Sequence, residues 1–327
     1  MDTLRLGTIG TSQITTQFIE AALHSKHYSL EAVYSRSIEK AEDFKERYEA
    51  NKAYADWSGF IEDPDIDVIY VASPNSLHFE QAMDALSYKK HLIIEKPMVT
   101  SLDEWDDLIE KAQKEECVVV EAARHLFEPN FIKVTEVIQD FPKVYGATLT
   151  YSKYSSRYDN VLAGEEPAIF SPTFAGGAAN DLGIYVVYAA VKWFGIPDSV
   201  QAFSQRIETG VDGKGTAVLR YPSFDVTLHY GKINTSLNHS EVYSSDATLV
   251  LDAITGVSQA NLVDARTRDV QTLPLEPVAN NPLEDEAIAF AEVMKDPDSA
   301  ASRAKVNEWQ TLSRNVHVVL DEIRQRD

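Results

Sequence analysis

The sequence predicts an α/β chain of two domains, a parallel sheet covered by helices followed by an α+β domain with a large, mostly antiparallel sheet. Over the first third of the chain, short apolar runs rich in β-branched residues alternate with segments of helical period, which is the pattern of parallel strands joined by covering helices. From about residue 199 to 273 the runs alternate apolar and polar residues, which is typical of antiparallel strands. A length of 327 residues is that of about two domains.

The first domain, residues 1–123, opens with a strand at 4–9, a tight turn at 10–13 and a helix. Apolar residues recur in this helix at the spacing of one face: Ile14, Phe18, Ala21 and Ala22. The run at 67–73 is almost continuously apolar, as expected for a strand covered on both faces. The remaining predicted strands are 30–35, 91–95 and 117–122, and the remaining predicted helices are 37–48, 77–87 and 101–114.

The second domain, residues 124–327, mixes helices with the alternating strands. A long irregular stretch at 155–175 stands out, because loops of this length are usually functional or disordered. Helices are predicted at about 131–139, 181–194, 282–294 and 304–324, and strands at 144–154, 216–221, 225–230 and 247–252.

Charge and cysteine content exclude several classes of function. Acidic residues outnumber basic ones, 51 to 30, and the formal net charge of −21 argues against binding nucleic acid or anionic membrane surfaces. The single cysteine, Cys117, excludes an intrachain disulfide and any multi-cysteine metal site. No signal peptide is evident, and no apolar run approaches the roughly 18 residues of a membrane span. The histidines are not spaced as the ligands of a metal ion are. We therefore expect a cytoplasmic protein with no metal.

The first turn is a candidate phosphate-binding loop. It follows a predicted strand and opens a helix, where the pyrophosphate of a dinucleotide meets the helix N-terminal amides. The candidate contacts are Gly10, Thr11, Ser12, Gln13 and Ile14. In the pattern G-x-G-x-x-G, Ser12 occupies the position of the second glycine and Thr15 that of the third. The alternative is a strand-to-helix turn that binds nothing.

The end of the second strand bears on the choice of cofactor. A carboxylate there would accept the ribose hydroxyls of NAD, but this strand ends in Ser35-Arg36. A hydroxyl followed by a guanidinium suits a 2′-phosphate, which favours NADP over NAD. If Arg36 only lies on the surface or stacks on adenine, NAD remains a candidate.

Four short motifs stand in the order, and on the elements, of a known family. They are Gly7-Thr-Ile-Gly10, Ser73-Pro-Asn75-Ser-Leu-His78, Glu95-Lys96-Pro97, and Gly176-Gly177 with Asp181-Leu-Gly183-Ile-Tyr185. Together they resemble the Gfo/Idh/MocA oxidoreductase family over almost the whole chain. Within this family, the chain resembles most the dihydrodiol and xylose dehydrogenase branch, which uses NADP. The resemblance implies a Rossmann domain followed by an α+β domain whose large, open sheet serves in oligomer contacts. We therefore expect a homo-oligomer, a dimer or higher.

Lys96, Tyr185 and Asp181 are the candidate catalytic residues. Hydride transfer needs a partner for the hydroxyl proton, and Lys96 stands at the carboxyl end of a buried strand, where ligands bind in open α/β sheets. Asp181 and Tyr185 are four apart and would share one helix face. From the residues alone, Asp181 could be a cap and Tyr185 a core aromatic. The resemblance implies that the Lys96-Pro97 bond is cis. It also implies that Tyr185 donates or accepts a proton and that Asp181 contacts the substrate or orients a neighbouring group. Whether Lys96 or Tyr185 transfers the proton stays open.

Further candidates follow other strands of the same sheet. Ser73, Asn75 and His78 resemble residues on the nicotinamide and ribose side, although His78 could equally cap or pack. Glu95 is expected to meet the ribose or to orient Lys96. Arg124 is a candidate contact to substrate or cofactor, and it departs from the dihydrodiol dehydrogenases, which favour tryptophan near this position.

These residues predict an NAD(P)-dependent dehydrogenase acting on a CH–OH group of a sugar, polyol or diol-like small molecule. Two alternatives remain at this stage. One is a redox-neutral NAD-dependent enzyme of the glycosidase or lyase type, and the other is a regulator that senses a dinucleotide without catalysis. Retention of Lys96, Asp181 and Tyr185 favours an enzyme.

Overall fold

A computed structural model describes residues 3–325. It divides into two compact units, one formed by Met1–Arg124 with Asn281–Thr311 and the other by His125–Asn280 with Leu312–Asp327. Each unit contains one sheet among the residues described.

The sheet of the first unit is parallel throughout, as predicted. Its strands are β1 (Leu4–Ile9), β2 (Tyr28–Tyr34), β3 (Lys52–Tyr54), β4 (Val68–Val71), β5 (His91–Glu95) and β6 (Val119–Ala122). Their order is β3-β2-β1-β4-β5-β6, the doubly wound order of a dinucleotide-binding domain. The sequence did not indicate β3, because three residues at a sheet edge carry no readable alternation.

The helices of this unit begin largely where the sequence predicted. They are α1 (Gln13–His24), α2 (Ile38–Tyr48), α3 (Trp57–Ile61), α4 (His78–Ser87) and α5 (Leu102–Lys114). Ser37 and Ser101 cap α2 and α5, each accepting a hydrogen bond from the backbone three residues on. The fully buried strand residues and the inner faces of α4 and α5 form the core on one side of the sheet.

The second unit is built on an eight-stranded sheet that is antiparallel except between β7 and β10. Its strands are β7 (Val144–Ser152), β8 (Ser199–Arg206), β9 (Asp212–Arg220), β10 (Asp225–Gly231), β11 (Ser240–Ser244), β12 (Ala247–Leu251), β13 (Ala260–Asp264) and β14 (Val270–Thr272). Its first helices are α6 (Pro129–Gln139), α7 (Tyr158–Leu162) and α8 (Ile184–Phe194). Leu149, Val226 and Leu228 are fully buried on the face of the sheet that packs against α8.

The helical stretch Pro172–Phe194 departs from the expectation that no segment resembles a membrane span. Among residues 3–325 it is the one stretch long and apolar enough to cross a membrane: it has 23 residues, and an 18-residue window within it has a mean hydropathy of 1.2. Of that window, 67% is buried inside the structure. Because α8 packs against β7 and β10, its apolar composition is that of a core helix.

The C-terminal helices divide between the two units. They are α9 (Glu284–Lys295) and α10 (Ala300–Gln325). The sequence placed all of 124–327 in the second domain, whereas Asn281–Thr311 groups with the first unit. The cause is packing of α9 on α1, with a bond of 2.9 Å from the Tyr28 hydroxyl to the Ala287 carbonyl. Sequence patterns cannot reveal contacts between residues so far apart in the chain.

The bond between Tyr28 and α9 can be tested by removing its donor. Burial raises the pKa of Tyr28, so its hydroxyl remains protonated and donating. We expect Tyr28→Phe to lower the free energy of unfolding by about 1 kcal/mol and to speed amide exchange in α9. Urea unfolding and hydrogen exchange measure the two effects. Tyr88→Phe is the control, because its exposed hydroxyl bonds Glu62; equal effects of the two variants would contradict the assignment.

Candidate active site

A cleft of about 500 Å³ lies at the carboxyl edge of the sheet in the first unit. Three chain segments form it: the turn between β1 and α1, the end of β2 with the start of α2, and the loop after β4. Six predicted cofactor contacts line it: Gly10, Thr11, Ser12, Ser35, Arg36 and Ser73. Residues that the sequence did not single out also line it, among them Tyr34, Ser37, Lys40 and Gln81.

Gly10 is the residue on which the first turn depends. Its φ is +103°, a conformation that side-chain-bearing residues rarely adopt. A Cβ at this position would lie 2.8 Å from the Ala72 carbonyl oxygen at the end of β4. The turn can therefore approach β4 this closely only with glycine.

Ser12 and Thr15, the two departures from the glycine pattern, cap α1 instead. The Ser12 amide donates to Thr15 Oγ1 at 3.3 Å, and the Thr15 amide donates to Ser12 Oγ at 3.4 Å. This reciprocal pair is a capping box. Gln13 and Ile14 form the first positions of α1 and do not line the cleft with their side chains. Their contribution to an anion is the amide group, which at a helix start has no intrahelical acceptor.

Two basic side chains lie between the end of β2 and the first turn of α2. Arg36 and Lys40 are both exposed and both line the cleft. Ser37 lies between them and caps α2, and its amide donates to Ser35 Oγ at 3.3 Å. Sequence analysis missed Lys40, although its place in the first turn after Arg36 was a usable signal.

Glu95 holds the backbone of Lys96, which is one of the two roles expected for it, and its contact to a ribose stays a prediction. It is buried, and its Oε1 accepts a hydrogen bond of 2.6 Å from the Tyr70 hydroxyl. Its Oε2 accepts one of 3.2 Å from the Lys96 amide. Burial raises the pKa of Glu95, and Lys96, Tyr70 and Arg124 oppose that rise. Arg124 and Lys96 thus act electrostatically on one carboxylate at this sheet edge.

His78 has a packing role, which is the alternative expected for it, and its contact to a cofactor stays a prediction. Its side chain is fully buried. Nδ1 lies 3.0 Å from the Pro97 carbonyl and Nε2 lies 2.8 Å from the Ser73 carbonyl. Burial lowers the pKa of the imidazole. The ring therefore links the loop after β4 to the turn that carries Lys96, whose bond to Pro97 is cis as expected.

Ser73 and Asn75 have different positions in the loop after β4. Ser73 lines the cleft and donates from Oγ to Gln81 Oε1 at 2.6 Å. Asn75 begins the short turn Asn75–Leu77 and is not among the residues that line the cleft.

In the second unit, Asp181 lies in a π-helical turn, Ala179–Gly183, and not in the predicted α-helix. The i,i+4 argument for Asp181 and Tyr185 therefore does not apply, because a π-turn changes the rotation per residue. The Asp181 carboxylate lies 2.8 Å from Lys232 Nζ. The sequence patterns did not indicate Lys232, although it directly follows a strand, as Lys96 does.

Tyr185 stands in the first turn of α8 with 9% of its surface exposed. Its ring packs edge-on against His125 and Tyr151, with centroids 5.1 and 5.4 Å away. Gly177, in the glycine pair that precedes α8, packs against Asp212, whose carboxylate a Cβ there would strike.

The second unit has a cleft of its own, of about 420 Å³, which gathers none of the predicted site residues. Among residues 3–325, no group of three or more histidine, cysteine, aspartate or glutamate side chains is arranged to hold a metal ion.

Two family models match the chain. Residues 4–123 match the "Oxidoreductase family, NAD-binding Rossmann fold" model, and residues 143–250 match the "GFO/IDH/MocA C-terminal domain" model. Together they span well over half of the sequence.

Named proteins resemble the chain over most of its length. It is 35% identical over 321 residues to the uncharacterized oxidoreductase YgjR of Escherichia coli, covering 97% of both chains. It is 36% identical over 266 residues to scyllo-inositol 2-dehydrogenase (NADP(+)) IolU of Bacillus subtilis, covering 81% of this chain and 80% of the other.

A solved structure shares the fold. The 3-ketoreductase KijD10 from Actinomadura kijaniata, solved with NADP and TDP-benzene, superposes with a TM-score of 0.85 at 20% identity, covering 99% of this chain and 98% of that one. The family models and the identities above confirm the resemblance carried by the four motifs, and the chain belongs to the Gfo/Idh/MocA family of oxidoreductases.

Proposed function

We propose that this oxidoreductase is an NADP-dependent dehydrogenase that moves a hydride between the nicotinamide and a CH–OH carbon of a polyol or sugar. The observation that carries the proposal is the cleft of the first unit, with a glycine turn at one end and the Arg36–Lys40 pair at the other. Two relatives support it: the scyllo-inositol dehydrogenase named above, and a D-xylose 1-dehydrogenase (NADP(+)) of Haloferax volcanii, 27% identical over 222 residues.

The residues of the cleft fit the phosphates of NADP. The Gly10 turn and the free amides at the start of α1 suit the pyrophosphate. Arg36 and Lys40 supply two positive charges for a 2′-phosphate, with Ser35 as a hydroxyl beside them. β2 ends without the carboxylate that would accept ribose hydroxyls and repel that phosphate.

When bound, the nicotinamide supplies the carbon that gives or receives the hydride. The remaining chemistry is a proton exchange with the substrate hydroxyl, which we assign to Lys96 or Tyr185. Glu95 fixes the Lys96 backbone through its amide, and His78 fixes the Pro97 carbonyl that follows. Asp181 is assigned to accept a hydrogen bond from a substrate hydroxyl, and Arg124 to contact substrate or cofactor.

We also propose that the protein is a cytoplasmic homo-oligomer assembled through the open face of the second sheet. Phe203, Thr216 and His229 are cross-strand neighbours on that face, and Phe203 is 71% exposed. A large exposed aromatic on the open face of a sheet favours a protein contact. The net charge of −21 disfavours nucleic acid and anionic membranes as partners.

The cofactor assignment predicts a charge-specific loss of affinity. We expect Arg36→Gln and Lys40→Gln each to weaken NADPH binding by about 10- to 100-fold, because each removes one charge-assisted bond to the 2′-phosphate. NADH binding should hardly change in either variant. Nicotinamide fluorescence titration measures both. Arg47→Gln, on α2 but outside the cleft, is the control; a wild-type preference for NADH would overturn the assignment.

The role of Lys96 predicts a loss of turnover without loss of cofactor. We expect Lys96→Ala to lower kcat with a polyol by about 10²- to 10⁴-fold, the range for a lost proton-transfer group, and to leave NADPH affinity unchanged. Steady-state rates with scyllo-inositol and xylose, together with the fluorescence titration, measure this. Lys114→Ala, an exposed lysine on α5, is the matched control. Full activity in Lys96→Ala would show the mechanism to be wrong.

The oligomer assignment predicts that a charge on the open face disrupts assembly. We expect Phe203→Lys to lower the molar mass in light scattering to that of one chain, whereas Leu162→Lys, at an exposed apolar residue on α7, leaves it unchanged. A wild-type protein that is monomeric at high concentration would contradict the proposal.

A further inference from the structure

Lys232 is a buried cation at the end of a strand. It directly follows β10, and only 1% of its side chain is exposed. Its neighbour in the sheet provides a comparison: β7 runs parallel to β10, Ser152 pairs with Gly231, and Lys153 follows β7 just as Lys232 follows β10. Lys153 is exposed. Of two lysines at equivalent places, one extends into solvent and the other lies inside the unit.

The contacts of the Lys232 ammonium include a carboxylate, a backbone carbonyl and an aromatic ring. Asp181 Oδ2 lies 2.8 Å from Nζ, Nζ donates to the Ile169 carbonyl at 3.1 Å, and the Phe170 ring centroid lies 4.4 Å away. The Lys232 backbone is fixed as well, because its amide donates to the Gly213 carbonyl at 2.8 Å. A buried ammonium is stable only with such counter-charge and hydrogen bonding.

The two side chains of the Asp181–Lys232 ion pair differ in their exposure to solvent. The Asp181 side chain is 33% exposed, so one partner is buried and the other can be reached by a solute. A carboxylate held from within by a cation accepts hydrogen bonds in a fixed direction. A substrate hydroxyl could therefore meet an oriented, charged acceptor.

The same ammonium reaches the long loop that the sequence indicated as functional. Ile169 and Phe170 belong to the turn Ala168–Phe170 inside residues 155–175. Phe170 is fully buried with Val161 and Val211 in a small apolar cluster against which Ile233, the residue after Lys232, also packs. The loop and the Asp181 carboxylate are thus both fixed by one strand end.

We propose that Lys232 is a positioning residue for the dehydrogenase reaction: it orients the Asp181 carboxylate toward the hydroxyl of the substrate and ties that carboxylate to the loop 155–175. This inference rests on the proposed function, since it takes Asp181 as the acceptor for a polyol hydroxyl. It adds a residue outside the four motifs to the determinants of substrate affinity.

A double-mutant cycle on kcat/KM tests the proposal. The variants are Lys232→Met, Asp181→Asn and the double variant, assayed with NADP⁺ and a panel of polyols and sugars that starts with scyllo-inositol and xylose. We expect each single variant to lose about 10- to 100-fold in kcat/KM, the effect of one hydrogen bond to a charged group. The double variant should be no worse than either single one, because both remove the same interaction. NADPH affinity should be unchanged in all three.

A merely structural role would give a different pattern. Asp181→Asn removes a counter-charge from a buried ammonium and should lower thermal stability, whereas the neutral double variant should recover it. Activity should not recover with stability if Lys232 acts through Asp181. Lys153→Met is the matched control and should match wild type in both measurements. If Lys232→Met does not fold, Lys232→Gln and the double variant complete the comparison.

The outcomes separate the two proposals. The positioning role would be overturned if Lys232→Met were as active as wild type, or if the losses multiplied in the double variant. Neither result would contradict the proposed dehydrogenase activity. Activity that recovers in step with stability would also overturn the positioning role. Failure of wild type to reduce NADP⁺ with any member of the panel would remove the proposed function and this inference with it.

Discussion

The close approach of the first turn to the end of β4 is the constraint on which the cleft of the first unit depends. Gly10 packs where a Cβ would lie 2.8 Å from the Ala72 carbonyl. This contact brings the turn before α1 beside the loop after β4, so Thr11, Ser12 and Ser73 line one cleft. A side chain at Gly10 would push these two segments apart.

Buried polar groups then position the residues at the sheet edge. Tyr70 stacks on Phe18 of α1, with centroids 3.9 Å apart, and donates its hydroxyl to Glu95. Glu95 in turn accepts the Lys96 amide, and His78 contacts the carbonyl of Pro97. The helix that follows the Gly10 turn is thereby connected through side chains to the turn that carries Lys96. In the second unit, Lys232 is a buried polar group of this kind, and it lies beside Asp181.

Residue type and strand-end position predicted which segments form the sites better than they predicted which side chains face a ligand. Glu95 and His78 belong to motifs shared with the family, yet both are buried and bonded within the chain. Lys40 and Lys232 are outside those motifs and were missed. A polar side chain at a strand end can turn outward to a ligand or inward to support its neighbours, and a one-dimensional pattern does not distinguish the two.

The sequence by itself determined the alternation of strands and helices in the first unit, the antiparallel character of the second sheet and the family. These follow from local periodicity, caps and short motifs, which act within a few residues. The cis Lys96-Pro97 bond was implied by the resemblance to the family. The tertiary structure alone decided that α9 belongs with the first unit, that a π-turn carries Asp181, and that Lys232 is buried while Lys153 is exposed. Each of these depends on packing between segments distant in the chain, where burial free energy and the need to pair a buried charge outweigh local preference.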